Sequence, residues 1–108
     1  VSLTNSAYLV RPVNEAVVLG GTVSFTCQRE ESDSFLFWAK STVASPSSFT
    51  NLGQDDSSFI SDTRYTFTST TSFTSTLTIT GVTTADAGIF NCQLPMTTSN
   101  SYCELIVL

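Results

Sequence analysis

The chain has 108 residues, a formal net charge of −5 and no histidine. A chain of this length holds a single domain, placed here at 1–108, with a core small enough that a covalent staple is common. Its four basic residues, Arg11, Arg29, Lys40 and Arg64, are scattered. That excludes a nucleic-acid partner, whose phosphates need clustered cations. The missing histidine removes the commonest general base and the commonest metal ligand.

Along the chain the pattern has a period of two. Strands are predicted near 3–10, 13–19, 21–29, 35–40, 48–52, 57–60, 64–68, 73–80, 87–94 and 101–108. Val23, Phe25 and Cys27 alternate with Thr22, Ser24 and Thr26. Leu77 and Ile79 alternate with Thr76, Thr78 and Thr80, and Leu105 and Val107 with Glu104 and Ile106. β-Branched and aromatic residues crowd these runs, as strands prefer, and about a third of the chain is Ser or Thr. Turn residues separate them at Gly20-Gly21, Ser45-Pro46-Ser47, Gly53-Gln54-Asp55-Asp56, Gly81, Ala85-Asp86-Ala87-Gly88 and Leu94-Pro95. Only Thr84-Ala85-Asp86 offers a short helical turn. Many short strands at this spacing predict an all-β sandwich or barrel. No apolar run is long enough to span a bilayer as a helix, and no leader opens the chain. The last five residues read as a strand without a tail, so a domain cut from a longer parent is expected, the remainder being a stalk, further domains or a membrane anchor.

Three residues carry a resemblance. Cys27 lies on an alternating strand, Trp38 follows eleven residues later, and Cys92 closes the segment Asp86-Ala87-Gly88-Ile89-Phe90-Asn91-Cys92. This combination resembles the immunoglobulin superfamily, and the resemblance covers essentially the whole chain. It implies an antiparallel two-sheet sandwich with a Cys27–Cys92 disulfide packed on a buried Trp38. Such a bridge contributes about 4 kcal/mol in the chain-entropy model. The 65 positions between the cysteines leave room for the C′ and C″ strands of the variable type, supplied by Phe49 to Phe59. Arg64 resembles the family arginine that pairs with the aspartate before strand F, here Asp86. Leu77-Thr78-Ile79 followed by Val82 resembles strand E, which makes Leu77 core, as is Phe90.

Three departures stand out. Phe90 occupies the position of the family's corner tyrosine, so another donor must serve the carbonyl its hydroxyl would have reached. No glycine lies between Ser99 and Glu104, unlike the joining segments of antigen receptors. Cys103 is surplus to the pair. It shares strand parity with Leu105 and Val107, which predicts a sheltered thiol; a bridge to a second copy or to a further domain is the alternative.

The resemblance implies an extracellular recognition domain, secreted or on a cell surface, that binds a protein through the sheet holding strands G, F, C and C′. A second copy of the chain is one candidate partner. Trp38 and Cys92 point inward, so their neighbours are expected on the outer face. That assigns Phe37, Ala39, Phe49, Leu52, Ile89, Asn91, Gln93, Tyr102, Glu104 and Ile106 to the docking face, with Phe35 at its edge. A bulge would shift this parity and bury some of them. The loops form a second candidate: Glu30, Glu31 and Asp33, then Asp55 and Asp56, then Pro95 and Met96. Acidic loops could steer a basic partner, although solvated loops are the plainer reading. A loop-based binder of carbohydrate or microbial surface and a non-binding spacer domain of an adhesion molecule are the alternative functions. No metal, cofactor or catalytic residue is expected, because no nucleophile lies beside a base and no ligand spacing appears.

Overall fold

The computed structural model describes residues 8–30, 35–70, 73–95 and 99–108. Ten strands build two sheets. They are β1 (Tyr8–Val10), β2 (Glu15–Val17), β3 (Val23–Arg29), β4 (Phe37–Lys40), β5 (Thr50–Gln54), β6 (Ser57–Ser58), β7 (Tyr65–Ser69), β8 (Thr74–Ile79), β9 (Gly88–Leu94) and β10 (Ser99–Val107). One sheet has the order β1-β3-β8-β7, the other β2-β10-β9-β4-β5-β6. All pairings are antiparallel except β2 with β10, which run parallel. The short turn expected at 84–86 is a 3-10 helix, Thr84–Asp86. β10 starts two residues earlier than the sequence predicts, because Ser99 already pairs with Leu94 across the hairpin. The strand expected at 3–10 lies mostly outside the described residues; its end is β1.

The core follows the alternation. Val23, Phe25 and Cys27 of β3, Leu77 and Ile79 of β8, and Phe90, Cys92 and Leu94 of β9 are buried between the sheets. Cys27 and Cys92 form the cross-sheet disulfide, with Cα atoms 6.5 Å apart. Phe25 stacks on Phe90 with centroids 5.0 Å apart. Trp38 is fully buried, and its indole N–H donates to Ser75 Oγ at 2.9 Å. Ser75 Oγ in turn donates to the Asp55 carbonyl at 2.9 Å. The central tryptophan is thereby tied through one hydroxyl to the β5–β6 turn, and its indole N–H is satisfied in the core. Tyr8 closes the β1 edge by donating from its hydroxyl to the Cys92 carbonyl at 2.7 Å.

The corner before β9 is built around one carboxylate. Arg64 donates to both oxygens of Asp86, at 2.8 and 3.0 Å, and Asp86 is buried. The Tyr65 hydroxyl donates to Asp86 Oδ1 at 2.6 Å, and the Thr83 amide to Oδ2 at 2.7 Å. Burial alone would raise the Asp86 pKa, but the Arg64 guanidinium, the Thr83 amide and the Tyr65 hydroxyl outweigh it. The carboxyl therefore sits well below the usual carboxylate range. The donor that replaces the missing corner tyrosine is Lys40. Its Nζ donates to the carbonyls of Ser41 at 3.2 Å and of Ala85 and Ala87 at 3.4 Å each. Lys40 reaches them across the Phe90 ring, 5.6 Å from its centroid. Burial lowers the Lys40 pKa, and the Asp86 charge partly restores it.

Candidate binding face

The outer side of the six-stranded sheet is assembled from residues that lie opposite one another. Directly paired residues of antiparallel strands share a face. Tyr102 of β10 lies opposite Asn91 of β9, Asn91 opposite Ala39 of β4, and Ala39 opposite Asn51 of β5. One step along, Asn100, Gln93, Phe37 and Gln54 form the next row. Glu104 lies opposite Ile89 in the other direction. Tyr102, Ile106 and Phe49 are exposed on this face, Phe37, Ile89 and Gln93 are half-buried, and Phe35 is exposed just before β4.

Three of the expected face residues behave differently. Leu52 turns into the core with 6 % exposure. The β4–β5 register shifts between Trp38 and Ala39, where Trp38 pairs with Gly53 and Ala39 with Asn51. Leu52 follows Asn51, which faces outward opposite Ala39, so alternation points Leu52 inward; the bulge turns Gly53 inward as well, opposite Trp38, and leaves Gln54 outward in the Phe37 row. Ala39 and Asn91 keep the outer parity yet are buried, at 2 % and 5 %. Their cover is aromatic. Three strand spacings of about 4.8 Å separate β10 from β5, but the Phe49 and Tyr102 ring centroids are only 5.8 Å apart. The two rings lean toward each other and roof the small side chains between them. Beneath the roof Asn91 Nδ2 donates to Asn100 Oδ1 at 2.8 Å, and Asn91 Oδ1 has no partner among the described residues.

Two members of this face escaped the sequence reading. Phe59 is exposed and meets Phe37 edge-on at 6.3 Å. It follows by two residues Ser57, which lies opposite Gln54 in the Phe37 row. Strand alternation carried across the Asp55–Asp56 turn would have found it. Asn100, the partner of Asn91, needed the β9–β10 register, which no sequence pattern marks.

The loop candidates divide. Glu31, Asp33 and Met96 lie outside the described residues. Glu30 and Asp56 are exposed, and Pro95 is half-buried. Asp55 is structural: it adopts φ 52°, its amide donates to the Leu36 carbonyl at 2.8 Å, and its carbonyl accepts from Ser75. Burial pushes its carboxyl pKa up, against the pull of Arg29. No cluster of three or more metal-binding side chains occurs among the described residues, and none of their helices is long and apolar enough to cross a membrane. Cys103 is free, buried beside Leu105 and Phe90, with burial first and Glu15 second pushing its thiol up to about 12.

A four-stranded and a six-stranded sheet, bridged by a disulfide beside a buried tryptophan, define a variable-type immunoglobulin domain. The chain belongs to the immunoglobulin V-set domain family, whose model matches residues 11–106. Among solved structures, the mouse SynCAM 2 Ig1 domain is 27 % identical, with a TM-score of 0.74 over 90 % of this chain and 92 % of that one. The chain is also similar to Dpr1 IG1 bound to DIP-eta IG1 (18 % identical, TM-score 0.81, covering 94 % and 93 %). A third similar structure is the RIG-5 IG1 homodimer (22 % identical, TM-score 0.79, covering 93 % and 94 %). The latter two likenesses are of fold. No curated protein sequence matches significantly.

Proposed function

We propose that this domain is an extracellular recognition module that binds a protein partner through the outer face of β10, β9, β4 and β5. The observation that carries this reading is the apolar strip on that face: Phe35, Phe37, Phe59, Phe49, Tyr102 and Ile106. Single exposed apolar residues are ordinary, but a run of rings across one sheet face marks a partner site. The ring contacts from Phe37 to Phe59 and from Phe49 to Tyr102 pre-order the strip, which lowers the cost of docking. The similar structures support it, being a Dpr1–DIP-eta pair in one case and a RIG-5 homodimer in another. V-set domains are binding modules, not enzymes, and the disulfide fits an oxidising, extracellular setting. Loop-based recognition has less support, since Asp55 is engaged within the fold.

The test is a binding screen of the domain against a panel of immunoglobulin ectodomains, itself included, repeated with Phe37→Asp and Ile106→Asp. Both side chains are at least partly exposed, so both variants should fold. Loss of the recovered interaction in each, with unchanged circular dichroism, is the expected result. Binding that survives in both variants removes this face from consideration.

A further inference from the structure

Beside the apolar strip, the same face carries a shallow depression of about 200 Å³ lined by Asn14, Ile89, Tyr102, Cys103 and Glu104. Its walls differ in chemistry. Ile89 and Glu104 stand opposite each other across β9 and β10, and Tyr102 is the next outward residue on β10. Asn14 closes the edge by accepting the Glu104 amide N–H at 2.8 Å. The depression thus offers an aliphatic side, an exposed aromatic ring and an exposed carboxylate.

Among the described residues no cation pairs with Glu104. All four basic residues are engaged elsewhere. Arg64 is bound to Asp62 and Asp86, and Lys40 to the corner carbonyls. Arg29 packs on the Phe73 ring at 4.8 Å and Arg11 on the Tyr8 ring at 4.6 Å. The docking face is therefore apolar with a negative charge and no positive one.

We infer that this depression seats a lysine or arginine side chain of a protein partner, which makes the face heterophilic toward a basic surface. The inference rests on the reading that this face docks a protein. The aliphatic stem of such a side chain lies along Ile89, and its cationic head falls between the Tyr102 ring and the Glu104 carboxylate. A second copy docked through the same face does not supply that cation. It brings the same carboxylate, the same lack of a basic residue on the face and a further formal charge of −5.

The experiment is an amide NMR titration of the whole domain with Nα-acetyl-arginine methylamide and its lysine analogue, with the norleucine analogue as an uncharged control. Saturable shifts at Ile89, Tyr102 and Glu104 with the basic compounds, at least about fivefold weaker in Glu104→Gln, are expected. Absent shifts, equal shifts with norleucine, or no response to Glu104→Gln overturn the inference. Sedimentation velocity supplies the second arm: the domain is expected to stay monomeric over a concentration series. A reversible dimer broken by Tyr102→Asp overturns the heterophilic assignment while leaving the face in place. The face itself fails only if binding survives in Phe37→Asp and Ile106→Asp.

Discussion

The Lys40 ammonium stands over the Phe90 ring and reaches past it to the Ala85 and Ala87 carbonyls. Two positions together do what a single tyrosine hydroxyl does elsewhere in the family: the ring fills the core and the lysine supplies the donor. Lys40→Met should therefore lower stability by roughly 1–2 kcal/mol, the worth of charge-assisted hydrogen bonds at a half-buried site. Phe90→Tyr added to Lys40→Met should recover part of that loss, because the new hydroxyl serves the same turn. Urea midpoints of the wild type, both single variants and the double variant check this cycle. Recovery no better than additivity would show that the lysine and the ring act independently.

Two carboxylates give stability opposite slopes with pH. The Asp86 pKa is depressed in the folded state, so its contribution is complete above the unfolded value of about 4 and is lost as pH falls below it. The Asp55 pKa is raised, so folding is favoured by its protonated form, and that advantage is complete below the unfolded value of about 4 and is lost as pH rises above it through the higher folded value. Asp86→Asn should be destabilising by about 3 kcal/mol at pH 7, leaving Arg64 short of its partner, and should flatten the acid limb. Asp55→Asn should be neutral or stabilising by up to about 1 kcal/mol, since asparagine also tolerates the positive φ. Thermal unfolding from pH 2 to 8 on the three proteins separates these effects.

Gly88 opens β9 at φ 152°, and a Cβ there would collide with the Ser41 carbonyl oxygen. Backbone cannot yield as a side-chain tip can. Gly88→Ala is expected to cost about 2 kcal/mol or more and to reduce soluble yield. Gly20 has nothing within 4 Å of the same added atom. Gly20→Ala, which meets only the penalty of its positive φ, is the milder control in the same melting assay.

The Cys103 thiol is buried and held protonated, so it should be inert in the folded domain. Ellman's reagent at pH 8 is expected to titrate no thiol until denaturant is added, and one thiol per chain thereafter. Sedimentation with and without reductant should be identical. Rapid labelling of the native domain, or a dimer lost only on reduction, would mean that β10 opens at this position.

The framework was legible because it depends on rare residues at fixed spacing. Cys27, Trp38 and Cys92, with Arg64 and Asp86, mark a geometry that few other folds require, and all five sit where the pattern places them. Alternation placed Tyr102, Ile106 and Phe37 on the outer face for the same reason. Leu52 lies three positions from Phe49, so alternation sends the two to opposite faces; what no pattern marks is the bulge, which turns Gly53 inward as well and leaves Gln54 outward. Ala39 and Asn91 show a different limit: their direction was legible, their burial was not. Their cover comes from Phe49 and Tyr102, more than fifty residues apart, whose rings lean across two intervening strands. Periodicity describes which way a side chain leaves the backbone; it does not describe what bends over it.

The parallel pairing of β2 and β10 has a mechanical meaning. Leu105, Ile106 and Val107 run alongside Glu15, Ala16 and Val17, and the Leu108 amide donates to the Val17 carbonyl beyond them. Tension applied between the start of β2 and the end of β10 pulls these neighbours in opposite directions along their length. The cross-links between them then share the load simultaneously, whereas a hairpin pulled at its open end breaks them singly. If β10 bears the proposed docking face, the strand under load is fastened by the pairing best placed to resist being drawn out.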